Sequence, residues 1–143
     1  MKILFRQFYI EAGVNFPFTS HFQRLMSAEA SALIEPSAKF IRKYGEDWKL
    51  IFNISAKKDI SENEIRGPAR FRKYKDVEFT IFLPFDVIQR EPAFAPPAIR
   101  FILQGACSVL LSLEMDPSKL LNKQEALIES ICSDPIMFKA NRI

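Results

Sequence analysis

Between Ala98 and Leu113 only Arg100, Gln104, Ser108 and Ser112 interrupt an otherwise apolar run. These four recur at every fourth position, so on a helix they form one narrow polar stripe and leave every other direction apolar. A helix of this kind has to be packed on most of its sides, and a β-sheet offers the broad apolar face that can do it. The run is also too interrupted to be a membrane span, which needs roughly 18 uninterrupted apolar residues. The strands that receive this helix must come from the residues before it.

Val77, Phe79, Ile81 and Leu83 alternate with Asp76, Glu78 and Thr80, the plainest strand in the chain, stopped by Pro84. Trp48, Leu50, Phe52 and Ile54 alternate with Lys49, Asn53 and Ser55, which predicts a half-buried strand with Ile51 as the exception. Lys2 to Ile10, rich in Ile, Leu, Phe and Tyr, predicts a strand buried on both faces. A further strand over Arg66–Lys75 is demoted by Gly67-Pro68 to an edge or a bulge.

Gly13 and Pro17 punctuate a loop. Ser20-His21-Phe22-Gln23 then fits a capping box, followed by Phe22, Leu25, Met26 and Leu33 at helical spacing. Pro36 breaks or restarts that helix, and Phe40, Ile41 and Tyr44 mark a second short one ending at Gly45. Glu91 to Pro97 is a proline-rich connector, with Pro96 and Pro97 in the first turn of the apolar helix. A last amphipathic helix starts at Asp116-Pro117-Ser118, turns Leu120, Leu121, Leu127, Ile128 and Ile131 inward, and ends at Asp134-Pro135. The order strand, helices, strands, helices predicts a single compact α+β domain over residues 1–143, with an antiparallel sheet and helices mainly on one face.

Fourteen phenylalanines against one tryptophan and three tyrosines make the expected core Phe-rich. A chain of this length buries about two-thirds of its unfolded surface, enough to fold without a disulfide or metal staple. Cys107 and Cys132 sit in apolar helical patterns without metal or redox spacing and read as reduced thiols. The first residues are broken by Arg6 and followed by Glu11, which reads as a strand and not as a leader, so the expected compartment is the cytoplasm with no membrane partner.

No GxSxG, P-loop, GxGxxG or HExxH pattern occurs, and the single histidine, His21, has no partner suggested by spacing. The reading is a non-enzyme with no cofactor, no metal and no catalytic residue. The one enzymatic option is the pair Asp76 and Glu78, two apart on a strand and so on one face. The simpler reading of that pair is the charged solvent face of a one-sided sheet.

Two charged groups are the candidate partner-binding residues. Arg66, Arg70, Arg72, Lys73 and Lys75 cluster with Phe71 and Tyr74, a mixture that suits phosphates and bases, or that simply protects a sheet edge. Asp59, Glu62, Glu64, Asp76 and Glu78 lie close by. They either neutralise the cations across paired strands or form an acidic patch that steers a cationic partner. The net charge of +3 is too small to imply nucleic acid by itself.

Asp76-Val77-Glu78-Phe79-Thr80-Ile81-Phe82-Leu83-Pro84-Phe85, preceded by Ile65-Arg66-Gly67-Pro68, resembles the central strand region of some bacterial toxin-immunity proteins. These accompany contact-dependent growth inhibition and other polymorphic toxins. The resemblance implies an inhibitor held in the producing cell's cytoplasm that occludes the active site of a cognate protein toxin, in many cases a nuclease such as an RNase. The net basic charge departs from the acidic character common among inhibitors of cationic nucleases. The contact candidates Asp59, Glu62, Glu64, Asp76, Glu78, Arg70, Arg72, Lys73 and Tyr74 rest on charge and exposure, not on the family. The alternative is an RNA- or DNA-binding module using residues 66–75.

Overall fold

The computed structural model describes residues 1–7, 20–87 and 95–133. Along the chain run β1 (Ile3–Gln7), α1 (Ser20–Leu33), α2 (Ala38–Lys43), β2 (Lys49–Lys57), β3 (Glu64–Phe71) and β4 (Asp76–Pro84). A 3-10 turn at Phe85–Val87 follows, then α3 (Ala95–Ser112), α4 (Ser118–Asn122) and α5 (Gln124–Cys132). The α+β class holds, in one compact domain. The expected continuation of the first strand to Ile10, the loop at Gly13 and Pro17, the first part of the proline-rich connector and the stop at Asp134-Pro135 lie outside the described residues.

The sheet has the order β1-β2-β4-β3 and is mixed, which corrects the antiparallel expectation. β1 pairs with β2 and β2 with β4 in parallel; only β3 and β4 are antiparallel. The reason lies in the connections. α1 and α2 return the chain from the end of β1 to the start of β2, so the two strands run the same way. β3 then folds back as the outer arm of a hairpin, and β4, the more apolar arm, takes the place beside β2.

One face of the sheet is the core. Ile3, Leu50 and Val77 stand in one row across three strands, and Phe5, Phe52 and Phe79 in the next. The Phe5 and Phe52 rings lie 5.1 Å apart, an aromatic pair of ordinary tilted geometry. Phe22, Met26 and Ala30 of α1, Phe40 of α2, and Ile102, Leu103 and Ala106 of α3 close over these rows. The polar stripe of α3 emerges as expected, with Arg100, Gln104, Ser108 and Ser112 all exposed. Gly105 lies on the buried side. A Cβ there would meet Ile81 Cγ2 at 2.8 Å, so the helix backbone rests directly on the sheet.

Several local expectations change. β1 buries one face and not two, since Leu4 is half-buried and Arg6 exposed. Asn53 and Ser55, read as outward polar residues, are buried at 5% and 2% exposure, together with Ile51 on the second face of the sheet. The last helix is divided into α4 and α5, and the division leaves Leu121 at 43% exposure instead of inside. The break at Pro36 is completed by Ser37, whose hydroxyl caps α2 by accepting from Phe40 N at 3.1 Å.

The two outer strands are treated differently. The free edge of β1 lies along α1, where Ser31 Oγ accepts from Ile3 N and Ser27 Oγ from Phe5 N, each at 2.9 Å. Ser31 Oγ also donates back to Ile3 O at 3.0 Å. Serines one helical turn apart thus match the two-residue repeat of outward amides on a strand and seal that edge. All eight residues of β3, by contrast, are exposed.

Replacing Ser27 and Ser31 together by alanine leaves two edge amides unpaired. Each should cost about 1–3 kcal/mol, seen as a lower urea midpoint at unchanged slope. A double variant within about 0.5 kcal/mol of the parent would mean that water substitutes freely for both hydroxyls.

Candidate functional site

Asp76 and Glu78 share the second face of the sheet, as their spacing on β4 requires; Asp76 is held by Lys49 on the neighbouring β2 and Glu78 by Arg6 on β1, two strands away. Arg6 of β1 reaches Glu78 Oε1 at 2.7 Å and also donates to Asn53 Oδ1 from Nε at 3.0 Å and Nη2 at 2.9 Å. Asn53 Nδ2 closes the triangle on Glu78 Oε1 at 2.8 Å. One side chain from each of β1, β2 and β4 therefore meets in a single network, with the amide of Asn53 satisfied on both its atoms. Lys49 Nζ lies 3.1 Å from Asp76 Oδ1. The contact is an ion pair without hydrogen-bond geometry, and that oxygen is buried with no hydrogen-bond donor. Lys57 and Glu64 pair at 2.6 Å near the other end of the sheet. The two open readings of the acidic residues are thus separated by position: Glu64, Asp76 and Glu78 neutralise cations across strands. Asp59, in a turn at φ 64°, and Glu62 stand exposed in the β2–β3 loop.

The basic segment is likewise divided by the backbone. The register shifts between Arg66 and Ala69, the expected bulge, with Gly67 at φ 132° where a Cβ would meet Glu78 O at 2.8 Å. The extra residue puts Arg66 and Arg70 on opposite faces. The Arg66 guanidinium lies 4.9 Å from the centre of the Phe82 ring. That of Arg70 covers Tyr44 at 5.4 Å and Trp48 at 5.0 Å and donates to Lys43 O at 3.3 Å. Lys75 is bonded to Asp47, and this bond holds the Asp47 carboxyl below its ordinary pKa. Arg72, Lys73 and Tyr74 remain exposed in the β3–β4 turn, Lys73 lying 5.7 Å from the centre of the Tyr74 ring. Phe71 is 43% exposed beside them.

Sequence reasoning did not include Arg42 and Lys43, which end α2 and are exposed at the same end of the sheet. Their signal was present, a basic pair in the last turn of a helix, but it reads first as a complement to the helix dipole. It also missed Arg6 and Asn53 as the partners of Glu78, because a register across three strands is not written in any one of them. His21 falls in the first turn of α1, and its side chain lies outside the described set.

A shallow groove runs along the polar stripe of α3. Its upper part, about 470 Å³, lies between α3 and the start of β3, bordered by Glu62, Asn63, Ile65, Phe101 and Gln104. Its lower part, about 520 Å³, lies between α3 and α4–α5, bordered by Cys107, Leu111 and Leu121. Burial pushes the Cys107 thiol up to about 11. Among the described residues there is no group of histidine, cysteine and carboxylate side chains that could hold a metal ion, and no helix long and apolar enough to cross a membrane. No protein-family model, curated protein or solved structure matches the chain.

Truncating Glu78 to alanine strands the Asn53 amide and one arm of Arg6. A stability loss of about 1–3 kcal/mol is expected in urea unfolding. A neutral result would show that the network is dispensable.

Cys107, with its pKa near 11, holds only about one thiolate in a thousand at pH 8. Its alkylation by iodoacetamide, read on its own peptide by mass spectrometry, should rise about tenfold per pH unit between pH 8 and 10. A rate independent of pH over that range would contradict the raised pKa.

Proposed function

We propose that this protein works by binding another protein, as the inhibitor of a cognate bacterial toxin, and that β3 with the turn after it is the surface it presents. The observation that supports this reading is the asymmetry of the sheet edges: β1 is sealed by Ser27 and Ser31, whereas β3 is exposed along its whole length. The bulge at Gly67-Pro68 and the arginines make β3 a poor template for adding a further strand. Recognition therefore runs through side chains, with Phe71, Arg72, Lys73 and Tyr74 carried on a hairpin whose base is tied down by Arg70 and Lys75. Arginine and tyrosine are the residue types that most often dominate protein interfaces, and a rigid support lowers the entropic cost of docking them. The toxin side of the reading comes from the resemblance of residues 65–68 and 76–85 to toxin-immunity proteins.

The nucleic-acid alternative keeps less of its case. It needs free ring faces for stacking and cations facing one way, whereas Arg66 and Arg70 are spent on rings of this chain on opposite sides of the sheet.

The test is a native pull-down from nuclease-treated lysate, followed by expression of the recovered partner with and without this protein. One stoichiometric protein is expected, toxic alone and harmless when co-expressed. Because Phe71 and Tyr74 are exposed, replacing both by alanine should leave stability within about 0.5 kcal/mol of the parent. It should weaken the complex at least tenfold, about 1.4 kcal/mol. Recovery of RNA without protein when nuclease is omitted would move the function to residues 66–75 as a nucleic-acid site.

A further inference from the structure

We infer that Arg42, Lys43, Arg72 and Lys73 form one docking surface, and that the partner face it takes is rich in carboxylates. The inference rests on the protein-binding reading above and gives the partner's chemistry, which that reading leaves open.

The surface is assembled from two segments about thirty residues apart, joined at one end of the sheet. Arg70 on β3 links them: its guanidinium donates to Lys43 O in the last turn of α2 and stacks on Tyr44 and Trp48, which lead from α2 into β2. Asp47, in the same connection, binds Lys75 at the end of the β3–β4 turn. Lys49 N donates to Lys75 O at 2.8 Å, closing the turn onto the start of β2. The end of α2 and the β3–β4 turn are thus braced side by side, so their cations are presented on a fixed support.

Charge pairing decides the sign of what is left. Glu64, Asp76 and Glu78 are neutralised by Lys57, Lys49 and Arg6, and Asp47 by Lys75. Within the two segments that form the surface, residues 42–47 and 72–75, the charged side chains without an opposite partner are Arg42, Lys43, Arg72 and Lys73 against Glu46. The free acids Asp59 and Glu62 stand at the far end of β3, in the β2–β3 loop. The presented end is therefore cationic, the reverse of what the inhibitor of a cationic nuclease groove would show, and like charge across an interface is strongly disfavoured.

A carboxylate-rich protein face fits better than a nucleic acid because of the rings. Tyr44, Trp48 and Phe82 are buried beneath Arg70 and Arg66, so among the described rings at this end Phe71 and Tyr74 alone are open to a base, and Lys73 already lies against Tyr74. The two arginine forks and two lysine ammonium groups are suited to carboxylates, Arg in bidentate fashion.

The test uses the full ¹⁵N-labelled chain titrated in separate series with poly-L-glutamate and with poly-uridylate RNA at equal charge concentration. Poly-glutamate should shift the amides of Arg42, Lys43 and residues 72–74 first, with an affinity that falls at least fivefold between about 50 and 200 mM salt. Arg72→Glu with Lys73→Glu should weaken it at least tenfold. Lys119→Glu with Lys123→Glu, reversing two exposed lysines on α4 and just after it, should change it less than twofold. The amide spectra report that each variant is folded. Shifts centred elsewhere, equal effects of the two double variants, or tighter binding of RNA at the same amides would each overturn the inference. The protein-binding reading would not fall with it, because a toxin could dock elsewhere; that reading stands or falls with the pull-down.

Discussion

The close approach of α3 to β4 at Gly105 sets the spacing on which the rest of the structure depends. Any side chain there would press on Ile81 Cγ2 at 2.8 Å and Ile65 Cδ1 at 3.1 Å, and the helix would have to lift from the sheet. Because it lies flat, the apolar bulk of α3 is spent on one face of the sheet, beside α1 and α2. Ile102, Leu103, Ala106 and Leu110 are all fully buried there. A helix with so narrow a polar stripe allows nothing else, and the charged residues of β1, β2 and β4 consequently stand on the other face.

On that other face the charges are arranged by strand register. Parallel pairing of β1, β2 and β4 sets Arg6, Asn53 and Glu78 within reach of one another, and Lys49 opposite Asp76. Single residues from three strands thereby lock the order of the sheet. Hydrogen bonds to charged groups in a partly buried setting contribute more than exposed pairs do, because water competes less. Asp76, Glu78 and, at the other end of the sheet, Glu64 are used in this way, and the strands' carboxylates are thereby taken out of the surface field.

The sheet edges complete the same logic. An unpaired strand edge invites association, and the two edges are handled by different means. β1 is covered by a helix whose serine hydroxyls stand in for ladder carbonyls. β3 is left in the open but blunted by a bulge, a proline and arginines. An edge that is exposed yet unsuited to strand addition can carry specific side-chain contacts without inviting indiscriminate pairing. This is the physical basis of the proposal that partner recognition runs through β3 and its turn.

Local pattern was sufficient wherever one strand or helix decides its own burial. The alternation at Val77–Leu83, the four-residue stripe of α3, the edge character of the arginine-rich strand and the bulge at Gly67-Pro68 all follow from residues close in sequence. Strand direction did not, because alternation reads the same in parallel and antiparallel sheets; only the helical return from β1 to β2 and the outward fold of β3 decide it. Nor did the fate of the charges. Arg66, Arg70, Arg72, Lys73 and Lys75 form one basic cluster in the sequence, whereas the fold stacks two of them on rings on opposite faces and pairs a third with Asp47. In their place it brings in Arg42 and Lys43 from a distant helix. The sequence determined which segments are apolar and which are charged, since that is a property of each residue. Which charges remain free was decided by tertiary structure alone, since neutralisation needs two groups within a few ångströms and the chain brings them there only by folding.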